Sequence, residues 1–321
     1  MATFVVRRFA AALLLLFAVS VVVFLVLVAP GAHPATRIAG PGATPRTLTR
    51  VGQLFGIGRP LPVQYALLME HLFVTRDLTS SLGTGREVVP EILHAAPVTL
   101  SLLAGAVVAW MLVGVAGGLL ATRIRGRVVD PLVVLSGVAG AAVPAYWLGA
   151  VVRTAVATHR HSPVSSLFPV SGYSSPSHGV GSWALHLVLP WLSLAILYGA
   201  VYARVLRRGL VGSLDEPYAT TARAKGLGEW RVLLRHALRC SVAPLVARLG
   251  LDVASLAGGA ALLVEVVFGL PGVGSLLYES VRRGDTATMI GCVMYVAAFA
   301  VVVHALADVA ARALDPGARR V

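Results

Sequence analysis

The sequence predicts an all-α integral membrane protein with six transmembrane helices, and three observations carry that expectation. Hydrophobic residues make up 57% of the 321 positions and charged residues only 13%, and the mean hydropathy is +0.82. A soluble globular chain is far more polar. Six stretches can cross a hydrocarbon core that needs about 20 apolar residues: 9–29, 100–121, 131–152, 183–203, 242–268 and 289–311. The third observation is where the basic residues stand. Arg7 and Arg8; Arg123, Arg125 and Arg127; Arg204, Arg207, Arg208, Arg223, Lys225, Arg231, Arg235 and Arg239; and Arg312, Arg319 and Arg320 flank alternate ends of the spans. Only Arg153, Arg160, Arg282 and Arg283 occupy the two short opposite loops. The positive-inside rule therefore puts both termini and the segment 204–241 in the cytoplasm. The net charge of +13 reports membrane orientation, and a nucleic-acid role, which needs that charge gathered on one face, is set aside.

Each element has its own justification. Arg7 and Arg8 precede an apolar run longer than the roughly 7 to 15 residues of a cleavable signal, so the first span reads as an uncleaved anchor. Residues 30–99 form a long external loop, rich in Pro, Gly and Thr at first and amphipathic later. It exceeds the roughly 60 residues within which charge governs topology, so its arginines do not contradict the orientation. The second span carries Gly114, Gly117 and Gly118, and the third carries Pro144. Such residues serve either close helix packing or a pore-lining bend. His159, His161 and His178 in the second external loop lack the Cys, Asp or Glu companions of a metal site, so no metal is assigned.

The fifth span holds Arg248 and Asp252, four apart on one helical face; either alone would cost about 2.5 to 3.5 kcal/mol at the bilayer centre. They pair structurally or face the transport pathway. The sixth span holds His304 and Asp308, again four apart, a local pair. Cys240 and Cys292 read as buried thiols acting as small apolar groups. The only lysine, Lys225, precedes Gly226 rather than following a glycine, so there is no Walker phosphate loop and no ATP site. No Gly-X-Ser-X-Gly elbow or His-Glu-X-X-His pair suggests an intramembrane hydrolase.

The most informative polar interval is SLDEPYATTARAKGLGEWRVLLRHALRCSVAP, from Ser213 to Pro244. Ser213 and Glu216 fit a capping box, Pro217 suits a first turn, and Gly226 supplies a left-handed stop. Tyr218, Ala219, Ala222 and Lys225 are expected on one small-faced side that presses into a partner's groove, with Thr221 on the opposite side. A second, basic helix follows Gly228. A capped helix, a glycine turn and a basic helix leading into a span make a docking element.

This run resembles the cytoplasmic loop of permease subunits in binding-protein-dependent ABC importers of the dipeptide and oligopeptide type, a group that includes nickel importers. VEVVFGLPGVG, with Glu265, Phe268, Gly269, Pro271, Gly272 and Gly274, resembles that family's external hairpin and pathway segment. FPVSGY from Phe168 and the closing ALDPGARRV extend the likeness. One departure is Pro30-Gly31-Ala32-His33-Pro34, where many relatives carry Pro-Gly-Asp-Pro.

The resemblance implies the type I importer permease fold as a single domain over 1–321. It also implies a coupling helix around Glu216, Tyr218, Ala219, Ala222, Lys225 and Gly226 that meets an ATPase. The partners it implies are a second homologous permease, two ATPase subunits, or one with two ATPase domains, that hold ATP and magnesium, an external substrate-binding protein and the lipid of the bacterial inner membrane. No cofactor falls to this chain. ATP would bring the ATPases together and rock the two permeases between inward-open and outward-open states. Two other readings stay open: an ion-coupled carrier using Asp252, Glu265 or Asp308 as a relay, and a receptor or scaffold. The sequence leaves dipeptide, oligopeptide, nickel and other small solutes unseparated.

Overall fold

A computed structural model describes residues 2–28, 34–39, 43–80, 86–124, 129–158 and 167–314. In chain order the helices are α1 (Ala2–Leu27), α2 (Pro34–Ala39), α3 (Pro45–Leu54), α4 (Leu61–Met69), α5 (Val88–Arg123), α6 (Val129–Ala142), α7 (Ala145–Thr158), α8 (Val180–Leu214) and α9 (Pro217–Ala224). α10 starts at Glu229 and runs without a break to Phe268 through π-helical turns at Leu233–Ala237 and Leu256–Ala260. α11 (Val273–Arg283) and α12 (Thr286–Leu314) close the chain.

Five helical stretches are long and apolar enough to span a membrane: Val6–Leu27, Val88–Arg123, Val180–Leu214, Pro244–Phe268 and Thr286–Ala310. The expected third span is α6 and α7, bent by 97° between them. Pro144 is the cause. It lacks an N–H and disfavours helical backbone at Val143, so one helix ends there and the Pro144 carbonyl starts the next by accepting from Leu148 N at 3.2 Å. The bend, left open beside close packing by the sequence, is thus present.

Two expected spans lie inside much longer helices. The second span was placed at 100–121, but α5 begins at Val88 and has 36 residues. The fourth was placed at 183–203, but α8 has 35 residues and ends at Leu214. At 1.5 Å per residue each helix runs over about 50 Å, well beyond a core about 30 Å thick. A hydropathy window measures that core, whereas backbone hydrogen bonding carries the helix past it.

The chain divides into two compact units. One comprises residues 101–256 and 303–321, the other 2–100 and 257–302. In the first, α8 is the central rod, packed against α6, α7 and α10. The glycines of α5 meet it closely: a Cβ on Gly114 would lie 2.6 Å from Tyr202 Cβ, and one on Gly118 would lie 3.1 Å from the Ala203 carbonyl oxygen. The packing role expected of that cluster is therefore what these glycines do.

The second unit holds an apolar core built by Phe24, Ile38, Phe55, Leu68, Leu72, Val88, Ile92, Ile290 and Met294. Much of the segment expected as an external loop is thus folded helix. Tyr65 joins it to α1, its ring edge-on to Phe24 at 5.6 Å and its hydroxyl 2.6 Å from Ser20 Oγ. Cys292 is buried in this core as expected, but Cys240 is exposed. The expectation for Cys240 fails: it stands beside the exposed Arg239 on the open side of α10. Pro30 to His33, His159 and His161 lie outside the described residues.

Candidate functional site

The interval between α8 and α10 folds as a compact loop. α8 continues to Leu214, so Ser213 sits in its last turn and cannot cap the next helix. Its Oγ lies 3.4 Å from Ser241 Oγ instead. This corrects the capping box: Glu216 occupies the N-cap position in extended conformation, with no side-chain cap bond, and Pro217 takes the first helical position. Proline is suited there by its fixed φ and missing N–H.

The stop is as expected. Gly226 has φ +78°; its N–H donates to the Arg223 carbonyl at 2.9 Å, and Leu227 N–H to the Ala222 carbonyl at 3.2 Å. These two bonds form a Schellman closure.

The face assignment needs correction. Ala219 (0% exposed) and Ala222 (6%) are buried within this chain, so they are not free to enter another subunit's groove. Tyr218, Thr220, Thr221, Ala224 and Lys225 are exposed. Ala219 and Ala222 are three apart and fall on one helical stripe, and small residues there let α9 lie close on its own chain. Thr221, expected on the far side, is on the surface open to a partner.

Arg223, which the sequence marks only as one of the basic residues that set orientation, is a half-buried residue of α9. Its Nε donates to Glu229 Oε1 at 2.8 Å and its Nη1 to the Leu214 carbonyl at 3.2 Å. The hydrogen bond to Glu229 raises its pKa above the ordinary arginine value. Arg231, Arg235 and Arg239 are all exposed on α10.

In the other unit, the hairpin from Glu265 to Gly274 explains its own glycines. Gly269 ends α10 at φ +63°, with Leu270 N–H donating to the Glu265 carbonyl at 2.9 Å. The Glu265 side chain is fully buried. Its Oε1 accepts from Thr99 Oγ1 at 2.6 Å and its Oε2 from Ser275 N–H at 3.1 Å, in the first turn of α11. Thr99 Oγ1 in turn accepts from Val273 N–H at 2.9 Å.

One glutamate therefore closes the end of α10 through its carbonyl and caps α11 through its carboxylate, where the helix dipole favours negative charge. A Cβ on Gly272 would fall 2.4 Å from Glu265 Cδ, and one on Gly274 would fall 2.5 Å from Leu262 Cα. Gly274 thus has no room for a side chain against the Leu262 backbone, and a side chain at Gly272 would push the Glu265 carboxylate off its partners. Phe268 is buried, while Gly269 and Pro271 are exposed. Beside Glu265 lies a mainly apolar cavity of about 200 Å³, lined also by Thr99, Leu262, Leu277, Val296 and Ala300.

The expected intramembrane pair is formed: Arg248 Nε lies 2.9 Å from Asp252 Oδ2. Tyr202 Oη donates to the same oxygen at 2.9 Å, a partner with no sequence signal because it comes from α8. His304 Nε2 and Asp308 Oδ2 are 3.6 Å apart. Arg207 pairs with Asp130. Among the described residues no group of three or more His, Cys, Asp or Glu could hold a metal ion.

Comparison with known proteins identifies the family. The family described as binding-protein-dependent transport system inner membrane component matches residues 114–320, and its N-terminal companion matches 1–103. The chain belongs to this family. The permease is 34% identical over 320 residues to the glutathione transport system permease protein of Escherichia coli (strain K12), covering 99% of each chain. It is 30% identical to a probable peptide ABC transporter permease protein of Sinorhizobium fredii, over 99% of this permease and all of that protein. A probable D,D-dipeptide transport system permease protein of Escherichia coli (strain K12) is 32% identical, over 89% and 88% of the two chains. A multi-pass permease of the bacterial inner membrane, as these relatives are, is what the apolar helices build.

Proposed function

We propose that this permease forms half of the translocation pathway of an ATP-driven importer for peptides or similar small solutes. An external binding protein delivers the solute, and a second permease and two ATPase subunits complete the assembly. The observation that carries this reading is the loop after α8. A proline-started helix is closed at Gly226 and presents Tyr218, Thr221 and Lys225 outward at the junction of two helices that continue into spans. That is a surface for receiving motion from another subunit. The loop lies on the cytoplasmic side by the distribution of arginines, and hydrolysis belongs to the partners because no phosphate-binding loop is encoded.

Peptide is favoured as solute by the relatives, which are named for transport of peptide, D,D-dipeptide and glutathione. A carrier driven by ions gains no support from the acids. Asp252 is held by Arg248 and Tyr202, and Glu265 by Thr99 and the α11 backbone.

Reconstitution in liposomes tests the reading. The chain alone should show neither ATP hydrolysis nor uptake, and both should appear on adding the ATPases, the second permease and the binding protein. Peptide accumulation by the chain alone under a pH gradient would overturn it.

A further inference from the structure

We infer that Arg223 is the positioning residue that makes the α9 loop move with its two flanking helices, an inference that rests on the loop's proposed coupling role. Three segments meet at its guanidinium. Nη1 reaches the carbonyl of Leu214, the last residue of α8. Nε and Nη2 reach the two Glu229 carboxylate oxygens at 2.8 and 3.5 Å, and Glu229 is the first residue of α10. Arg223 itself belongs to α9.

Each contact answers a local need. A helix C-terminus leaves its last carbonyls without intrahelical donors and carries partial negative charge, which a guanidinium satisfies. An acid in the first turn of the next helix suits that helix's positive end, and its carboxylate accepts the guanidinium fork with fixed orientation.

The setting makes the clamp matter. A cleft of about 320 Å³ opens beside it, lined by Thr122, Arg123, Leu214, Arg223, Glu229 and Leu233. Close packing therefore does not fill the space between the helix ends, and a directional link across it is what resists relative sliding. Ala219 and Ala222 hold α9 near its own chain, but methyl contacts set no direction. Arg223 fixes direction, so a push on the exposed face of α9 reaches α8 and α10 together.

The test uses the full complex, with permease partner, ATPases and binding protein, in liposomes. Three quantities are read: ATPase co-purification, ATP hydrolysis stimulated by loaded binding protein, and solute moved per ATP. Arg223→Gln should keep the ATPases bound yet lower solute per ATP by about tenfold or more, the scale of losing even one of the three charge-assisted hydrogen bonds from a coupling equilibrium. Glu229→Gln should act in the same direction. Arg223→Lys keeps the charge without the fork and should fall between.

Native solute per ATP in Arg223→Gln overturns the clamp. So does loss of the ATPases in proportion to uptake, which would make Arg223 a docking contact. Should Arg223→Gln fail to reach the membrane, Glu229→Gln at a half-exposed site carries the test, and a native ratio there overturns it. Thr221→Trp, on the exposed face, separates this from the underlying reading. If that variant retains full co-purification and uptake, the loop is not the coupling element, whatever Arg223 does.

Discussion

At the scale of single residues, the side chains that matter most are those that answer two backbone demands at once. Glu265 caps α11 while Thr99 bridges its carboxylate to Val273 N–H. Thr99→Val removes both bonds and leaves a buried carboxylate short of a donor, which should cost about 1 to 3 kcal/mol per unsatisfied group. The thermal midpoint of detergent-solubilised protein should fall clearly for Thr99→Val and little for Thr99→Ser. Equal midpoints would refute the bridge. Arg248 and Asp252 make a different case: Asp252→Asn strands a cation in the span, so membrane yield should drop, and adding Arg248→Gln should restore part of it. A fluorescent fusion reads that yield, and a normal yield with lost uptake would point to a pathway role instead. The sequence made Arg248 and Asp252 visible because helical spacing alone brings them together. It could not reveal Tyr202 or Thr99, whose partners lie 50 and 166 positions away. Arg223 and Glu229, six apart, were within reach, but the turn between them hid the pairing.

At the scale of elements, the α9 loop shows how a correct stop can accompany a wrong face. The Schellman closure at Gly226 was legible because glycine is the residue that accepts a left-handed backbone cheaply. Gly226→Val should therefore strain this turn by roughly 1 kcal/mol or more. It should lower transport while leaving the spans inserted, as glycosylation or cysteine mapping would report; native uptake would count against the turn's role. Which stripe of α9 faces its own chain was not legible, since alanine suits a subunit groove and an intrachain contact equally well. Burial decides it. Ala222→Trp should reduce folded yield, whereas Thr221→Trp should keep yield and displace the ATPases in a co-purification assay. The reverse pattern would restore the original face. Helix ends were not legible for a related reason: α5 and α8 run beyond the stretch a bilayer needs, and a hydropathy window marks that stretch and not where the backbone ladder stops.

At the scale of the whole molecule, the largest departure from the sequence reading is the segment after α1. A stretch that opens rich in Pro and Gly and turns amphipathic reads as an external loop, yet residues 45–74 are mostly helical and bury Val51, Phe55, Leu68 and Leu72. Their apolar spacing is short and broken by turns, so only the partners supplied from α5 and α12 make a core of it. Leu72→Ala should destabilise this unit by about 2 to 5 kcal/mol and expose 43–80 to added protease, while the native protein resists cleavage there. Susceptibility of the native segment would contradict this packing. α8 carries a last consequence. Pro190 interrupts its hydrogen-bond ladder, and the 24 steps from there to Leu214 make an arm of about 36 Å. Tilting such an arm by about 10° about the proline sweeps its far end through about 6 Å, so a slight lean in the bilayer becomes a full side chain's travel at the loop it carries.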